Sequence, residues 1–132
     1  ASKGKGAHLN NRRIRVSDKK LLDGALLGTG FPYNDEIAVA HFIKSFKALF
    51  PEVAGIRRAG VASLDLAYVA CGRLDGFWEF GLKPWDIAAG ALIIQEAGGI
   101  NVELTGEIDF MKTGNIISAN PKMIKSMLKI LR

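Results

Sequence analysis

Apolar residues in this chain fall into short blocks whose period alternates between about 2 and about 3.6, and the changes of period mark out the elements. From Gly6 to Val16, the run Leu9-Asn10-Asn11-Arg12-Arg13-Ile14 predicts two short strands around an Asn-rich turn, with Arg12, Arg13 and Arg15 exposed. Ala25 to Phe31 is a strand-length apolar run stopped by Pro32. Asp35 to Phe50 then carries Ile37, Ala40, Phe42, Ile43, Phe46 and Leu49 at helical spacing and closes at Pro51. Val53 to Arg57 reads as a short strand. Ala62 to Cys71 reads as a helix, with Leu64, Ala67 and Cys71 along one face and Gly72 as its stop. Strands over Leu74–Phe80, Ile100–Leu104 and Asn115–Ala119, a helix from Pro84, and a terminal helix over Pro121–Arg132 complete the pattern. Strands alternating with helices specify an α/β fold, a layered sheet and helices with a largely parallel or mixed sheet, and residues 1–132 form a single unit.

The helix from Pro84 is the best bracketed. Pro84 suits a first turn, Asp86 complements the positive end of the helix dipole, and Gly98-Gly99 supplies a left-handed stop. Ala88, Ala89, Gly90, Ala91 and Ala97 let a second element approach the helix backbone closely and fix Asp86 at a rim, as a metal site requires; the same carboxylate can equally serve only as a cap. Glu79 ends a strand seven residues earlier, where an open α/β sheet presents ligand-binding groups, although a solvated loop residue would look the same. Gly60, Val61 and Ala62 stand at a helix start, where unpaired amides donate to substrate oxygens or the small residues merely pack.

Other candidates read as structural. Asp65 is expected to make a structural hydrogen bond, and Asp75-Gly76 is first a turn signal. His8 and His41 have no metal-ligand spacing. Gly28-Thr29-Gly30 runs into Phe31-Pro32 and opens no phosphate-cradling helix, and no nucleophile elbow or P-loop occurs.

Composition narrows the classes. A content of 48% hydrophobic residues over 132 positions is enough for one core. No apolar run approaches the ~18 residues of a membrane span, and the polar start Ala1–Gly6 lacks an apolar signal core, so no membrane partner and a cytoplasmic location are expected. Cys71 is the one cysteine, which excludes an internal disulfide, agrees with a reducing compartment, and reads as a buried small hydrophobe. The net charge of +5 favours acidic partners, but Lys122, Lys125, Lys129 and Arg132 recur opposite Ile124, Met127, Leu128 and Leu131, the solvated face of an amphipathic helix.

Taken together, the segment Trp85-Asp86-Ile87-Ala88-Ala89-Gly90 followed by Glu96-Ala97-Gly98-Gly99 resembles the second signature of the inositol monophosphatase family, magnesium-dependent, lithium-sensitive phosphatases. Gly4-Lys5-Gly6-Ala7 with Leu9-Asn10, Thr29-Gly30-Phe31-Pro32, Arg57-Arg58-Ala59-Gly60, Leu64-Asp65-Leu66-Ala67, Asp75-Gly76-Phe77-Trp78-Glu79 and Thr113-Gly114-Asn115 follow in the family's order. The bacterial inositol-1-phosphatase branch is the most similar. The family's first signature, D-P-x-D-G-T, is missing from these residues, so the chain resembles the C-terminal half of the sugar-phosphatase fold, with the N-terminal metal-binding half absent.

The resemblance implies that Asp86 binds a catalytic Mg2+ and meets a substrate hydroxyl, that Glu79 binds a hydroxyl, and that Gly60 and Ala62 offer backbone contacts. Val61 stands where the family usually has Ser or Thr, which removes a hydroxyl. The implied reaction is hydrolysis of myo-inositol 1-phosphate or a related small sugar phosphate by the complete enzyme, a homodimer, with this chain alone inactive. Fructose 1,6-bisphosphate, a nucleotide phosphate and histidinol phosphate are alternative substrates. A basic, non-catalytic module for RNA or a protein partner is the alternative from another class. Apolar surface left exposed against the other half implies self-association of the isolated chain.

Overall fold

The computed structural model describes residues 1–33 and 35–132. Five strands form one mixed sheet, β3 (Leu26–Thr29), β4 (Gly55–Arg57), β5 (Gly76–Glu79), β6 (Ile100–Val102) and β7 (Ile116–Ala119), in the order β4-β3-β5-β7-β6. β3 runs parallel to both β4 and β5, whereas β7 is antiparallel to both β5 and β6. Among the described residues five α-helices accompany it: α1 (Glu36–Leu49), α2 (Ala62–Ala70), α3 (Pro84–Glu96), the single-turn α4 (Phe110–Thr113) and α5 (Pro121–Leu131). The layered α/β architecture expected from the pattern is therefore present. Neither α4 nor the 3₁₀ turn at Phe50–Glu52 was signalled by periodicity, because each is about one turn long.

Both faces of the sheet are covered. Leu27, Trp78, Ile117, Met123 and Met127 pack under α1 and α5, while Phe77, Ile116, Leu66, Ile87 and Ile94 pack under α2 and α3. Successive residues such as Phe77–Trp78 and Ile116–Ile117 thus serve opposite cores, which is why these strands show no polar alternation. Before the sheet, β1 (His8–Leu9) and β2 (Arg12–Arg13) form a two-stranded hairpin. Its turn residues Asn10 and Asn11 have φ of 51° and 67°, the left-handed pair that a tight hairpin turn demands and that Asn tolerates.

Several expected helix faces are rotated. In α2 the buried residues are Asp65, Leu66, Val69 and Ala70, and Leu64 is 42% exposed, so Leu64, Ala67 and Cys71 do not form the core stripe. That outer stripe instead borders a groove with His8, Leu9 and Ile14 of the hairpin, and Cys71 is half-buried rather than buried. Periodicity alone does not choose between two apolar faces of a nine-residue helix. In α1, Ala38, Phe42, Ser45 and Leu49 face the core, while Ile37 and Ile43, expected on that face, are exposed at 70% and 47%. Ser45 is buried because its hydroxyl accepts the Trp78 indole N–H at 2.8 Å and donates to the Phe42 carbonyl at 2.7 Å.

α5 follows the expected amphipathic pattern, with Met123, Ile124 and Met127 inside and its lysines exposed. Asp75 is more than a turn residue. Its carboxylate accepts from the Ser17 hydroxyl at 2.6 Å and the Leu26 amide at 2.7 Å, which ties the N-terminal segment to the starts of β3 and β5. No helix among the described residues is long and apolar enough to cross a membrane.

Candidate active site

The parallel strands β3, β4 and β5 end at one edge of the sheet, and a cleft of about 340 Å³ opens there. Its walls are Gly30, Phe31, Pro32 and Tyr33 after β3, Arg58 after β4, Gly60 to Ser63 at the start of α2, Glu79 at the end of β5 with Phe80 to Leu82 after it, and Asp86 in α3. Every residue expected at the site, Gly60, Val61, Ala62, Glu79 and Asp86, lines this one cleft.

Asp86 lies in the first turn of α3. Its Oδ2 accepts from the Lys83 amide at 2.9 Å, so one oxygen fixes the helix start. Asp86 therefore both caps α3 and lines the cleft. Of the small residues in α3, Gly90 and Ala91 are buried, Gly90 against Leu66 of α2, whereas Ala88 and Ala89 are exposed. A Cβ on Gly90 would lie 2.6 Å from Cβ of Leu66, so the glycine sets how closely α2 and α3 approach. Gly98, at φ 89°, ends the helix as expected.

At the head of α2, Gly60 takes φ 88°, a conformation that favours glycine. Val61 is the residue before the helix, is 52% exposed, and makes no side-chain cap hydrogen bond. The helix therefore starts without a hydroxyl cap, and its first amides border the cleft.

Glu79 sits at the end of β5, with its carboxylate directly over Gly30. A Cβ there would fall 1.9 Å from Glu79 Oε1, so any larger residue at position 30 would push the Glu79 carboxylate out of this position. Burial first, then the negative charges of Asp65 and Asp86, push the Glu79 carboxyl up to about 7, against the opposing pull of Arg58. Asp65, 1% exposed, has no hydrogen-bond partner for either carboxylate oxygen among the described residues, so the structural hydrogen bond expected of it is not made. Burial raises its carboxyl to about 6, with Arg58 again acting downward. Arg58 donates to the Tyr33 hydroxyl at 2.5 Å and stacks 4.9 Å from the centre of the Phe31 ring.

Three contributors stood in quoted motifs but were given no role from the sequence. Gly30 clears space for Glu79, Arg58 brings positive charge to the cleft, and Asn115 braces its floor. Asn115 Oδ1 accepts from the Gly81 amide at 3.0 Å, and the Gly114 carbonyl accepts from the Leu82 amide at 2.9 Å. Thr113-Gly114-Asn115 thus holds the segment that joins Glu79 to Asp86, and only the motif itself pointed to it. Among the described residues no three His, Cys, Asp or Glu side chains gather as a metal cage. Asp86, with one oxygen engaged at the helix start, can offer one hard-oxygen ligand and not a full coordination shell.

The inositol monophosphatase family profile matches residues 1–132. The Nus factor SuhB of Pseudomonas aeruginosa is 54% identical over 134 residues, covering 100% of this chain and 49% of that protein. Among solved structures, the extragenic suppressor protein suhB of Bartonella henselae superposes with a TM-score of 0.95 at 41% identity, covering 100% of this chain and 50% of its own. An inositol monophosphatase from Anabaena gives 0.93 at 39% identity, covering 98% of this chain and 54% of its own. The chain spans about half the length of the curated relatives it matches.

Proposed function

The chain belongs to the inositol monophosphatase family, and from that premise we propose that it is the C-terminal half of a magnesium-dependent phosphomonoesterase acting on myo-inositol 1-phosphate or a related small sugar phosphate. The observation that carries this reading is the convergence of Asp86, Glu79 and the uncapped head of α2 on one cleft. Fructose 1,6-bisphosphate, a nucleotide phosphate and histidinol phosphate remain rival substrates, separable by comparative turnover.

In this reading each residue has a physical task. Magnesium, when bound, polarises the ester and lowers the pKa of a bound water. Asp86 contributes one hard-oxygen corner for it, rigidly aimed because its other oxygen is tied to the Lys83 amide. Glu79 accepts a hydrogen bond from a substrate hydroxyl while ionised. The amides at the head of α2 donate to substrate oxygens, and Val61 adds no side-chain donor there. The remaining metal ligands come from the half of the enzyme outside this sequence, and the isolated chain is inactive.

A second reading draws on the relatives named Nus factor SuhB. A protein with that role would use this chain as a binding module, and the exposed lysines of α5 offer a basic surface. Binding to RNA that weakens steeply with salt would favour it, and absence of RNA binding near physiological salt would remove it.

The deciding experiment is magnesium-dependent phosphate release from myo-inositol 1-phosphate, with and without lithium, by the chain alone and with the N-terminal half of a relative supplied. Complementation that yields lithium-sensitive turnover, lost in Asp86→Asn, supports the phosphatase reading. Complementation with no turnover on any of the candidate esters refutes it.

A further inference from the structure

The cleft draws chemically different groups from its two sides. Glu79 and Asp86 come from β5 and α3, and the reading above uses them. Phe31, Tyr33 and Arg58 come from the segments after β3 and β4 and have no task in it. These three form one assembly. The Arg58 guanidinium lies 4.9 Å from the centre of the Phe31 ring and donates to the Tyr33 hydroxyl at 2.5 Å. A Cβ on Gly60 would stand 3.1 Å from Nη1 of Arg58, so the guanidinium also rests against bare backbone at the head of α2. Phe31 is backed in turn by the Phe42 ring, edge-on with 5.3 Å between centres. The guanidinium is thus held by a ring, a hydroxyl and a glycine.

Phe31 and Tyr33 remain 46% and 72% exposed in this wall. A guanidinium laid on an aromatic ring presents a flat cationic layer, and the group that completes such a stack is another planar π system. Nucleobases stack on aromatic and arginine faces whatever their identity, because every base has a π face. A polyol phosphate has no such face to offer. In the sheet β4 and β5 are separated by β3, two strand spacings or roughly 10 Å apart. That interval leaves space for a pentose between the Glu79 side of the cleft and the platform.

We infer that Phe31, Tyr33 and Arg58 form a stacking platform for a nucleobase, so that the cleft takes nucleoside monophosphates with the phosphate toward Asp86, a ribose hydroxyl at Glu79 and the base on the Arg58 guanidinium. This rests on the phosphatase reading for where the phosphate lies and for turnover, and on the platform's own contacts for where the base lies. Hydrolysis consumes one water. The bond from phosphorus to the ribose oxygen breaks, that oxygen takes a proton, and nucleoside and inorganic phosphate leave.

The test compares adenosine 5′-monophosphate with ribose 5-phosphate, which carries the same phosphate and sugar and lacks the base, in the enzyme completed with the N-terminal half of a relative. The expected result is a kcat/KM higher for the nucleotide by about tenfold or more, the scale of one stacked base. Arg58→Lys keeps the charge and removes the plane, and is expected to bring that ratio close to one; Phe31→Leu, which removes the ring beneath, is read by the same criterion should Arg58→Lys not fold. A ratio near one in the unsubstituted enzyme, or a ratio that neither substitution lowers, overturns the platform. Saturation-transfer NMR on the same protein without magnesium gives a readout that needs no turnover. Saturation reaching the adenine H2 and H8 protons, and reduced in Arg58→Lys, supports the platform even if every phosphate ester fails as substrate, an outcome that would sink only the phosphatase reading. Turnover of inositol 1-phosphate with no saturation at the adenine protons overturns the platform and leaves the phosphatase reading standing.

Discussion

Adding one methyl group at Gly90 tests whether the contact between α2 and α3 sets the geometry of the cleft. A Cβ there would lie 2.6 Å from both Cβ and Cδ1 of Leu66, against about 3.5–4.0 Å for carbon atoms at ease. Leu66 is fully buried, and its Cβ cannot rotate away, so the helices must part by roughly 1 Å. Overpacking of this kind costs about 1–3 kcal/mol. Gly→Ala inside a helix returns about 1 kcal/mol through propensity, leaving Gly90→Ala less stable by about 1 kcal/mol. For a chain of 132 residues this lowers Tm by roughly 4 °C. Thermal melts followed by circular dichroism measure it, and Gly90→Leu is expected to fall further. Because Gly60 and Ala62 head one of these helices and Asp86 the other, separating them also misaligns the site, and kcat/KM of the assembled enzyme drops by as much as ~100-fold. A Tm that rises on Gly90→Ala, as propensity alone requires, would refute the packing argument.

Three further outcomes are expected. Burial lifts Glu79 from 4.5 to about 7 and Asp65 from 3.8 to about 6. The folded chain then holds protons that the unfolded chain has released, so this contribution to stability is full below about pH 4 and is lost as pH rises to about 7. Glu79→Gln should therefore gain Tm relative to wild type between about pH 5 and pH 8, and a pH-independent difference between the two would exclude the shift. Glu96 accepts from the Gly6 amide at 2.9 Å, and its carboxyl is held below the usual range by the amides of Gly4 and Gly6. Glu96→Gln is expected to speed amide hydrogen exchange at Gly4, Lys5 and Gly6, while unchanged exchange there counts against this tether. Val39 and Ile43 on the outer side of α1 and Phe50 just after it are 37%, 47% and 62% exposed. Light scattering is expected to show the chain associating, and Ile43→Glu with Phe50→Glu to return it to a 14.3 kDa monomer; a monomeric wild type would discard that face as a contact.

Local chemistry settled much of this protein in the sequence alone. The Asn10-Asn11 turn, the stop at Gly98, Pro84 and Asp86 at the start of α3, and the charged stripe of α5 each depend on residues within a few positions of one another. Such signals are readable because backbone conformation and helix capping are decided over one or two turns. The motifs around Asp86, Glu79 and Gly60 were likewise visible, and they meet in one cleft.

Tertiary packing decided the rest. Which side of α1 and of α2 faces inward was not written in their periodicity, because both helices are apolar on more than one side and the sheet chose between them. Asp65 looked like a helix residue making a structural hydrogen bond, yet it is buried beside Gly28 of β3 and its carboxylate has no partner among the described residues. Gly30 shows no need for glycine until Glu79, 49 positions later, is laid across it by the pairing of β3 with β5. Residues distant in sequence acquire roles only when chain entropy has been overcome by burial of both sheet faces, and no local pattern encodes which of them will then touch.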